Sequence, residues 1–413
     1  MAHLDLVEWQ TAGADQHPVL VGRTLDDPAV MRTASRLRHA LRIADGRNGL
    51  LIEVNQHVGV LQLGDLRVRI RPKIPTETLW GLVAYGLGLD ELPRHPPTDF
   101  ALDGSLPDLL AAMLVLEATR LWRDGLQRGY VTREEWLASP RGRPDLVALA
   151  RNGPLTRAEL PCRHHEYTPD ILVNQLVLGG LTLASRLPGA GPRLRATVGR
   201  AVQEWRTVCS DVPATVERLD AAERASNPLT ARYTGAHRLA RALLDRAGPD
   251  DDLGHGIQPL GGALWNMARV FERAVARFLR EQLPSGWSVD TQTVLKGLYT
   301  GAEGRRPPSP TPDLVVRRGG LPVAVMDTKY KDLSQDPLPR DILYQLTAYS
   351  LAFGPEVPAV VLYAIPTGDR PPVRIRLNVV GAGERVIVLR AVPLDILRPR
   401  AREQERALGW LER

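Results

Sequence analysis

Residues 312–330, PDLVVRRGGLPVAVMDTKY, contain two apolar segments on either side of an Arg-Gly-Gly turn. This pattern predicts a β-hairpin that brings Asp313, at the start of the first strand, close to Asp327, near the end of the second. The second segment is apolar on both faces until Asp327, which is typical of a strand in the interior of a sheet. Because side chains alternate along a strand, we expect Asp327 and Lys329 to share one face.

Two carboxylates and a lysine at the end of a buried strand need partners, because burying an unpaired charge costs several kcal/mol. A divalent cation held by Asp313 and Asp327 would be one such partner, and Lys329 would then lie near a metal-bound water. Mg²⁺ prefers carboxylate oxygens, and a metal-bound water beside a lysine suits phosphodiester hydrolysis. For an isolated D-x-K tripeptide, the simpler alternative is a structural ion pair.

Polar residues on two predicted helices favour a catalytic site over an isolated ion pair. Glu272 flanks the apolar stripe of an amphipathic helix predicted over residues 264–283, so we expect it near the sheet edge as a further ligand or neighbouring acid. This stripe consists of Ala268, Phe271, Val275 and Phe278. Gln345 and Tyr349 are spaced i, i+4 and share a helix face, where an amide and a phenol would hold phosphate or fix the lysine.

The rest of the chain divides into regions of different pattern. Residues 1–98 alternate as in β-strands, and residues 99–248 show the three- and four-residue apolar spacing of helices. Turn formers and clustered acids at residues 248–254 indicate a boundary. Residues 249–413 predict a mixed sheet with helices on its faces. The fold class is therefore a multidomain α+β or α/β protein with a β-rich N-terminal region, a helical middle and a C-terminal mixed sheet.

A second hairpin is predicted in the N-terminal region, at residues 59–74, GVLQLGDLRVRIRPKI, around a Gly-Asp turn. In its second strand Arg67, Arg69 and Arg71 alternate with apolar residues and share one face. A solvated strand face is the simpler interpretation. The alternative is a row of arginines that meets the carboxylates or phosphates of a partner.

Composition excludes several classes of protein. Hydrophobic residues make up 44% and charged residues 24% of the 413 residues, as in globular proteins. The net charge of +6 permits binding to a polyanion without requiring it, while 5% aromatic residues argue against a broad base-stacking surface. Cys162 and Cys209 lack metal-ligand spacing. No secretory signal or membrane-spanning segment is visible, so we expect a soluble, cytoplasmic protein.

The order of the candidate site residues resembles a known family pattern. Glu272, Pro312-Asp313, Asp327-Thr328-Lys329 and Gln345-x-x-x-Tyr349 are similar to the motifs of the PD-(D/E)xK nuclease superfamily, particularly its RecB-like branch. In the N-terminal half, several motifs resemble the McrC family, the nuclease subunits of McrBC modification-dependent restriction systems. These motifs are Pro72-Lys73-Ile74, Gly125-LQRG-Tyr130, Arg141-Gly142-Arg143-Pro144 and the segment 162–174, and the resemblance extends over about residues 50 to 365.

The resemblance implies a division of labour within the chain. Residues 249–413 would form a PD-(D/E)xK nuclease domain that cuts double-stranded, modified DNA and dimerises within its complex. The implied catalytic residues are Asp313, Asp327, Lys329, Glu272, Gln345 and Tyr349. Mg²⁺, with Mn²⁺ as an alternative, would be held by the acids Asp313, Asp327 and Glu272.

The same resemblance implies that residues 1–98 dock on a McrB-like AAA+ GTPase ring and stimulate it. The residues expected near that partner are Arg67, Arg69, Arg71 and Lys73. The chain has no G-x-x-x-x-G-K-[ST] loop, so nucleotide hydrolysis is expected from another chain. Two alternatives stay open: a non-catalytic AAA+ activator with a vestigial nuclease fold, and a stand-alone nuclease of the RecB or resolvase kind.

Overall fold

The computed structural model of the chain describes residues 2–38, 40–88, 106–151, 159–187, 191–244, 262–295, 309–334, 338–379, 383–395, 397 and 404–411. The protein is a mixed α+β structure in two compact units, Met1–Pro96 with Ala247–Arg413, and Pro97–Arg246. The first and last of the three regions predicted from the sequence thus belong to one unit. The boundary predicted at residues 248–254 lies outside the described residues.

The N-terminal segment of the first unit consists mainly of short strands. Its elements are β1 (Ala2–Val7), β2 (Thr11–Ala12), a 3-10 helix (Pro18–Leu20), α1 (Pro28–Arg36), β3 (Leu41–Asp45), β4 (Leu50–Val54), β5 (His57–Leu63), β6 (Leu66–Arg71) and α2 (Thr76–Gly86). Strands β5 and β6 form the predicted hairpin, with Gly64 in the left-handed region at φ +60° in the turn. Leu66, Val68 and Ile70 are buried, as the alternation predicted.

The second unit contains helices and a small sheet. Its elements are α3 (Leu106–Arg123), β7 (Gly129–Leu137), β8 (Arg143–Pro144), α4 (Leu146–Arg151), β9 (Leu160–Thr168), α5 (Leu172–Ser185), α6 (Pro192–Arg206), α7 (Val216–Arg224), a 3-10 helix (Ala231–Tyr233) and α8 (Thr234–Leu244). The prediction of a helical middle is therefore correct for most of this unit and wrong for the sheet β7-β9-β8. Pairing between β7 and β9 joins segments about 30 residues apart in sequence, and local periodicity does not report such pairing.

The C-terminal segment returns to the first unit. Its elements are β10 (Gly262–Asn266), α9 (Met267–Gln282), β11 (Trp287–Thr291), β12 (Leu314–Arg318), β13 (Leu321–Lys329), α10 (Arg340–Ala352), β14 (Ala359–Ile365), β15 (Val373–Val379), β16 (Gly383–Pro393) and α11 (Gln404–Gly409). None of the helices in the described ranges is both long and apolar enough to cross a membrane.

Strand β10 explains why the two ends of the chain share a unit. It pairs antiparallel with β5 and completes a four-stranded sheet of order β1-β6-β5-β10. The sequence pattern predicts one helix from Leu264, but the helix begins at Met267. Asn266 ends the strand and caps the helix, because its side chain accepts hydrogen bonds from the backbone N–H groups of Ala268 and Arg269. The apolar residues Leu264 and Trp265, just before Asn266, pair with β5 as part of β10.

Strand β13 lies inside the six-stranded sheet β11-β12-β13-β14-β16-β15. It pairs antiparallel with β12 and parallel with β14, which confirms the predicted hairpin and the interior position of the strand. Residues Ala324–Met326 have no exposed surface. Helix α10 packs on one face of this sheet through Ile342 and Leu346, and α9 also packs against β13. The end of β13 is thereby held from several sides.

Candidate active site

Asp313 and Asp327 lie next to each other in the six-stranded sheet, where β12 begins and β13 ends. Leu314 pairs with Met326, so the two aspartates are the next residues beyond that pair. The Oδ2 atom of Asp313 accepts a hydrogen bond from the backbone N–H of Thr328 at 2.7 Å and another from the Thr328 hydroxyl at 2.8 Å. Asp313 is therefore fixed to the adjoining strand by two donors from one residue.

Asp327 and Lys329 share a face of β13, as the alternation predicts. The Oδ2 atom of Asp327 lies 2.6 Å from Lys329 Nζ, and the Asp327 side chain is 2% exposed. Burial, and then the nearby Asp313 carboxylate, raise the pKa of Asp327 from 3.8 to about 6, against the opposing effect of Lys329. One lysine thus compensates only part of the cost of placing two carboxylates here.

Lys329 is connected to helix α10 by a short hydrogen-bond chain. Its Nζ donates to Gln345 Oε1 at 3.5 Å, and Gln345 Nε2 donates to the Tyr349 hydroxyl at 2.8 Å. The Tyr349 hydroxyl in turn donates to the backbone oxygen of Thr311 at 3.1 Å. Burial raises the pKa of Tyr349 to about 12, so its hydroxyl keeps its proton and remains a donor. The predicted i, i+4 pair therefore meets the lysine.

Glu272 reaches the same edge from α9, through a residue that the sequence analysis did not identify. The Nε2 atom of Gln292 donates to Glu272 Oε1 at 2.7 Å and lies 3.4 Å from Asp313 Oδ1. Gln292 follows β11 in the left-handed region, with φ +51°, and its N–H donates to the Asp313 backbone oxygen at 2.9 Å. Burial, and then Asp313, raise the pKa of Glu272.

Gln292 and Thr328 are the polar groups that sequence reasoning missed. Neither belongs to a pattern of acids and bases, and only the strand register places both beside Asp313. The position of Thr328 could be predicted in part from the sequence, because Thr328 lies between Asp327 and Lys329 on the second strand of the hairpin. For Gln292, the left-handed backbone at the end of a strand is the distinguishing feature, since non-glycine residues adopt it infrequently.

The donor set fits a hydrated Mg²⁺ ion better than a metal bound wholly by protein. Asp313 and Asp327 are close enough for one carboxylate to raise the pKa of the other, and a divalent cation would relieve this repulsion. Across the described ranges, no three His, Cys, Asp or Glu side chains are grouped as metal ligands. Mg²⁺ commonly keeps several waters and binds through one or two carboxylates, so Asp313 and Asp327 suffice.

All these residues lie within a region that matches a known family. A family model described as "McrBC 5-methylcytosine restriction system component" matches residues 52–364, which is more than half of the chain. The chain belongs to this McrBC family. No curated protein matches this McrBC-family chain.

Two solved assemblies contain chains similar to this McrBC-family protein. The first is the half-complex from the tetradecameric assembly of Thermococcus gammatolerans McrB AAA+ hexamers with bound McrC. The match has 17% sequence identity and a TM-score of 0.58, and covers 99% of both chains. The second, the Thermococcus gammatolerans McrBC complex, matches with 15% identity and a TM-score of 0.44 over 69% of this chain and 89% of that chain. The first match shows a shared fold.

The basic residues expected near a partner form a separate group in this McrBC-family chain. Arg67, Arg69 and Arg71 lie on β6, on the face opposite its buried apolar residues. Asp5 on the neighbouring strand is 3.9 Å from Arg69 and 3.6 Å from Arg71, so it offsets part of their charge. Lys73 follows the strand and has an exposed side chain. These four residues belong to the N-terminal sheet and the turn after it.

Proposed function

We propose that this McrBC-family chain is the Mg²⁺-dependent endonuclease subunit of a modification-dependent restriction complex, and that its C-terminal sheet is a PD-(D/E)xK nuclease domain. One observation carries the proposal. Asp313, directly before β12, and Asp327, on β13, lie close enough for their charges to interact, and Lys329 Nζ lies 2.6 Å from Asp327 at the end of an otherwise apolar strand. Buried groups with perturbed pKa values that converge in this way are typical of catalytic sites.

Each side chain has a distinct part in the proposed reaction. Asp313 and Asp327 would hold Mg²⁺, with Glu272 beside them. The bound ion would lower the pKa of its water and neutralise charge on the reacting phosphate. Thr328 keeps the Asp313 carboxylate in place through its N–H and hydroxyl. Gln292 holds the Glu272 carboxylate close to Asp313.

Lys329 would act on the attacking water and on the charge that develops on the phosphate. Its ammonium is held between the Asp327 carboxylate and the Gln345 amide, so it stays oriented before DNA binds. An oriented positive charge stabilises a developing negative charge without reorganising in the reaction. Gln345 is held in turn by Tyr349, whose hydroxyl is tied to the backbone at Thr311. The Q-x-x-x-Y pair therefore positions the lysine.

We also propose that the N-terminal sheet docks on a McrB-like AAA+ NTPase and stimulates it. The match to an assembly of McrB AAA+ hexamers with bound McrC, over nearly the whole chain, supports this part of the proposal. The chain also lacks a phosphate-binding loop of its own. The face with Arg67, Arg69 and Arg71, followed by Lys73, would contact the partner. One active site cuts one strand, so a double-strand break would need two copies.

Cleavage of methylated and unmethylated plasmid tests the proposed function. The full chain would be incubated with a McrB-like AAA+ protein, GTP or ATP, and either Mg²⁺ or EDTA. We expect cleavage that requires methylation, nucleotide and Mg²⁺ together. Stimulated nucleotide hydrolysis without cleavage would identify the chain as an activator only. Cleavage without any NTPase would identify a stand-alone nuclease.

A further inference from the structure

A buried carboxylate joins the N-terminal sheet to the end of the strand that carries Lys329. Glu8 follows β1, is 1% exposed, and accepts a hydrogen bond from the backbone N–H of Lys73 at 2.7 Å. The hydroxyl of Tyr330 donates to the same oxygen, Oε1, at 3.3 Å. Glu8 and Tyr330, which are 322 positions apart in the sequence, are therefore in direct contact. This contact has no part in the site described above.

Tyr330 connects Glu8 to residues of the candidate active site. It directly follows Lys329, is 8% exposed, and its ring centroid lies 6.2 Å from that of Phe271. Phe271 in turn directly precedes Glu272. Tyr330 is therefore the chain neighbour of Lys329 and a ring contact of the residue before Glu272, and Glu8 accepts a hydrogen bond from its hydroxyl.

Such a buried carboxylate is costly, which argues against an incidental contact. Burial raises the pKa of Glu8, while the hydrogen bonds from Lys73 and Tyr330 oppose that rise. Its second oxygen, Oε2, is buried and finds no hydrogen-bond partner among the residues that the structure describes. An isosteric apolar residue would avoid these costs. Glu8 instead uses this buried carboxyl group to tie the turn at Lys73 to the residue that follows β13.

We infer that Glu8 is a positioning residue for the nuclease site: through Tyr330 it anchors the end of β13, and so fixes where Lys329 stands relative to Asp327 and Gln345. This inference rests on the proposed nuclease function. Glu8 is buried, and the role inferred for it is only to hold the strand. Misplacement of a catalytic group by about 1 Å is enough to lower a rate up to about a hundredfold.

Four variants of the full chain separate positioning from stability. Glu8→Ala removes the acceptor, whereas Glu8→Gln keeps an Oε1 that accepts both hydrogen bonds. Tyr330→Phe removes only the hydroxyl. Tyr85→Phe is the matched control, because the Tyr85 hydroxyl donates to Glu281 at 2.7 Å in the same unit, between α2 and α9. The Tyr85→Phe variant removes a similar tyrosine–glutamate hydrogen bond in which no residue of β13 takes part.

Two measurements decide the inference. The first is the cleavage rate at saturating DNA, with the KM for DNA as its companion. We expect Glu8→Ala and Tyr330→Phe to lower kcat by about tenfold with an unchanged KM, and Glu8→Gln and Tyr85→Phe to keep the wild-type kcat. The second is hydrogen–deuterium exchange of the peptide over residues 326–330. We expect exchange to become faster in Glu8→Ala and Tyr330→Phe alone.

The outcomes distinguish this inference from the function on which it rests. If wild type does not cut under any condition, the proposed function fails, and unchanged exchange in all variants would overturn the anchoring role independently. If wild type cuts and Tyr330→Phe cuts equally well, the inference is overturned whatever the exchange shows. A loss of kcat in Tyr85→Phe as large as that in Tyr330→Phe would also overturn it, because the effect would then be one of general stability.

Discussion

Strands β6 and β13 both carry basic and apolar residues inside the same unit, yet they expose their charges differently. In β6 the arginines alternate with buried apolar residues along the whole strand, and Arg71 is 54% exposed at its side chain. In β13 the strand is apolar until its end, where Asp327 is 2% exposed beside Lys329. Arg71 reaches both water and Asp5, whereas Asp327 is buried and close enough to Asp313 for the second carboxylate to raise its pKa.

The comparison of the two strands shows which charges need a functional explanation. An exposed strand face tolerates charge at little cost, so the β6 pattern by itself fits an ordinary solvated face. A buried carboxylate beside another carboxylate destabilises the fold, and its presence indicates a use.

Removing either member of the pair at the end of β13 should abolish cleavage. We expect Asp327→Ala and Lys329→Ala each to lower the cleavage rate by at least about a thousandfold, a loss of roughly 4 kcal/mol of transition-state stabilisation. The matched control is Asp290→Ala, which removes a carboxylate of the same sheet that pairs with Arg317 at 2.7 Å. Full activity of either site variant in a plasmid cleavage assay would refute the assignment of the site.

Neutralising Asp327 should stabilise the metal-free protein. Its pKa in the fold, about 6, lies above the ordinary value of 3.8, so the folded state binds this proton more tightly than the unfolded state. The contribution of this group to stability is therefore complete below about pH 4 and is lost as pH rises through 6. We expect Asp327→Asn in EDTA to raise the free energy of unfolding by about 3 kcal/mol at pH 8.

Urea denaturation at pH 8 and pH 4.5 measures this effect, and Asp290→Asn is the control. The gain in Asp327→Asn should shrink strongly at pH 4.5, where the wild-type carboxyl group is largely protonated in the fold. An equal gain at both pH values would show that the destabilisation is not electrostatic. Equal stability of variant and wild type at pH 8 would contradict the contrast between the two strands.

Gln292 should matter less than the acids that it holds. Gln292→Ala removes the donor to Glu272 and leaves the Asp313 contacts with Thr328 intact. We expect about a tenfold loss of kcat, which corresponds to one hydrogen bond of about 1.4 kcal/mol. Single-turnover cleavage measures the loss. An unchanged rate would show that Glu272 is positioned without Gln292, and a loss as large as that of Lys329→Ala would give Gln292 a more direct role.

Charge removal on β6 should have the smallest effect on stability. Arg71 and Asp5 are both more than half exposed and 3.6 Å apart, so Arg71→Ala should change the free energy of unfolding by less than about 1 kcal/mol. If this face contacts the partner, the same variant should lower stimulation of the AAA+ NTPase severalfold. The control is Arg42→Ala, since Arg42 is 70% exposed and lies 3.3 Å from Glu53 on another sheet. Equal stimulation by Arg71→Ala and wild type would remove β6 from the docking surface.

The sequence predicted the parts of the fold that depend on local pattern. Alternation and turn residues were sufficient for both hairpins, and the all-apolar segment before Asp327 was sufficient for an interior strand. The shared face of Asp327 and Lys329 followed from the two-residue period alone, and the two side chains lie 2.6 Å apart. Assigning these residues to metal binding and catalysis remains a prediction.

The features that the sequence did not predict depend on long-range contacts. The apolar residues at 264 and 265 fit a helix as well as a strand, and pairing with β5 decides between them. The sheet in the second unit has mostly exposed residues in β7, so no buried face marks it as a strand. Gln292 and Glu8 are single polar residues whose partners are fixed only by the fold.

Calorimetric titration of the full chain with Mg²⁺ shows whether Asp313 and Asp327 form a cation site. Wild type, Asp327→Asn and Asp290→Asn would be titrated at pH 8. We predict binding by wild type and by Asp290→Asn, and at least about a tenfold weaker affinity in Asp327→Asn, as expected when one of two carboxylate ligands is lost. Binding of equal strength in all three proteins, or no binding by wild type, would contradict the account.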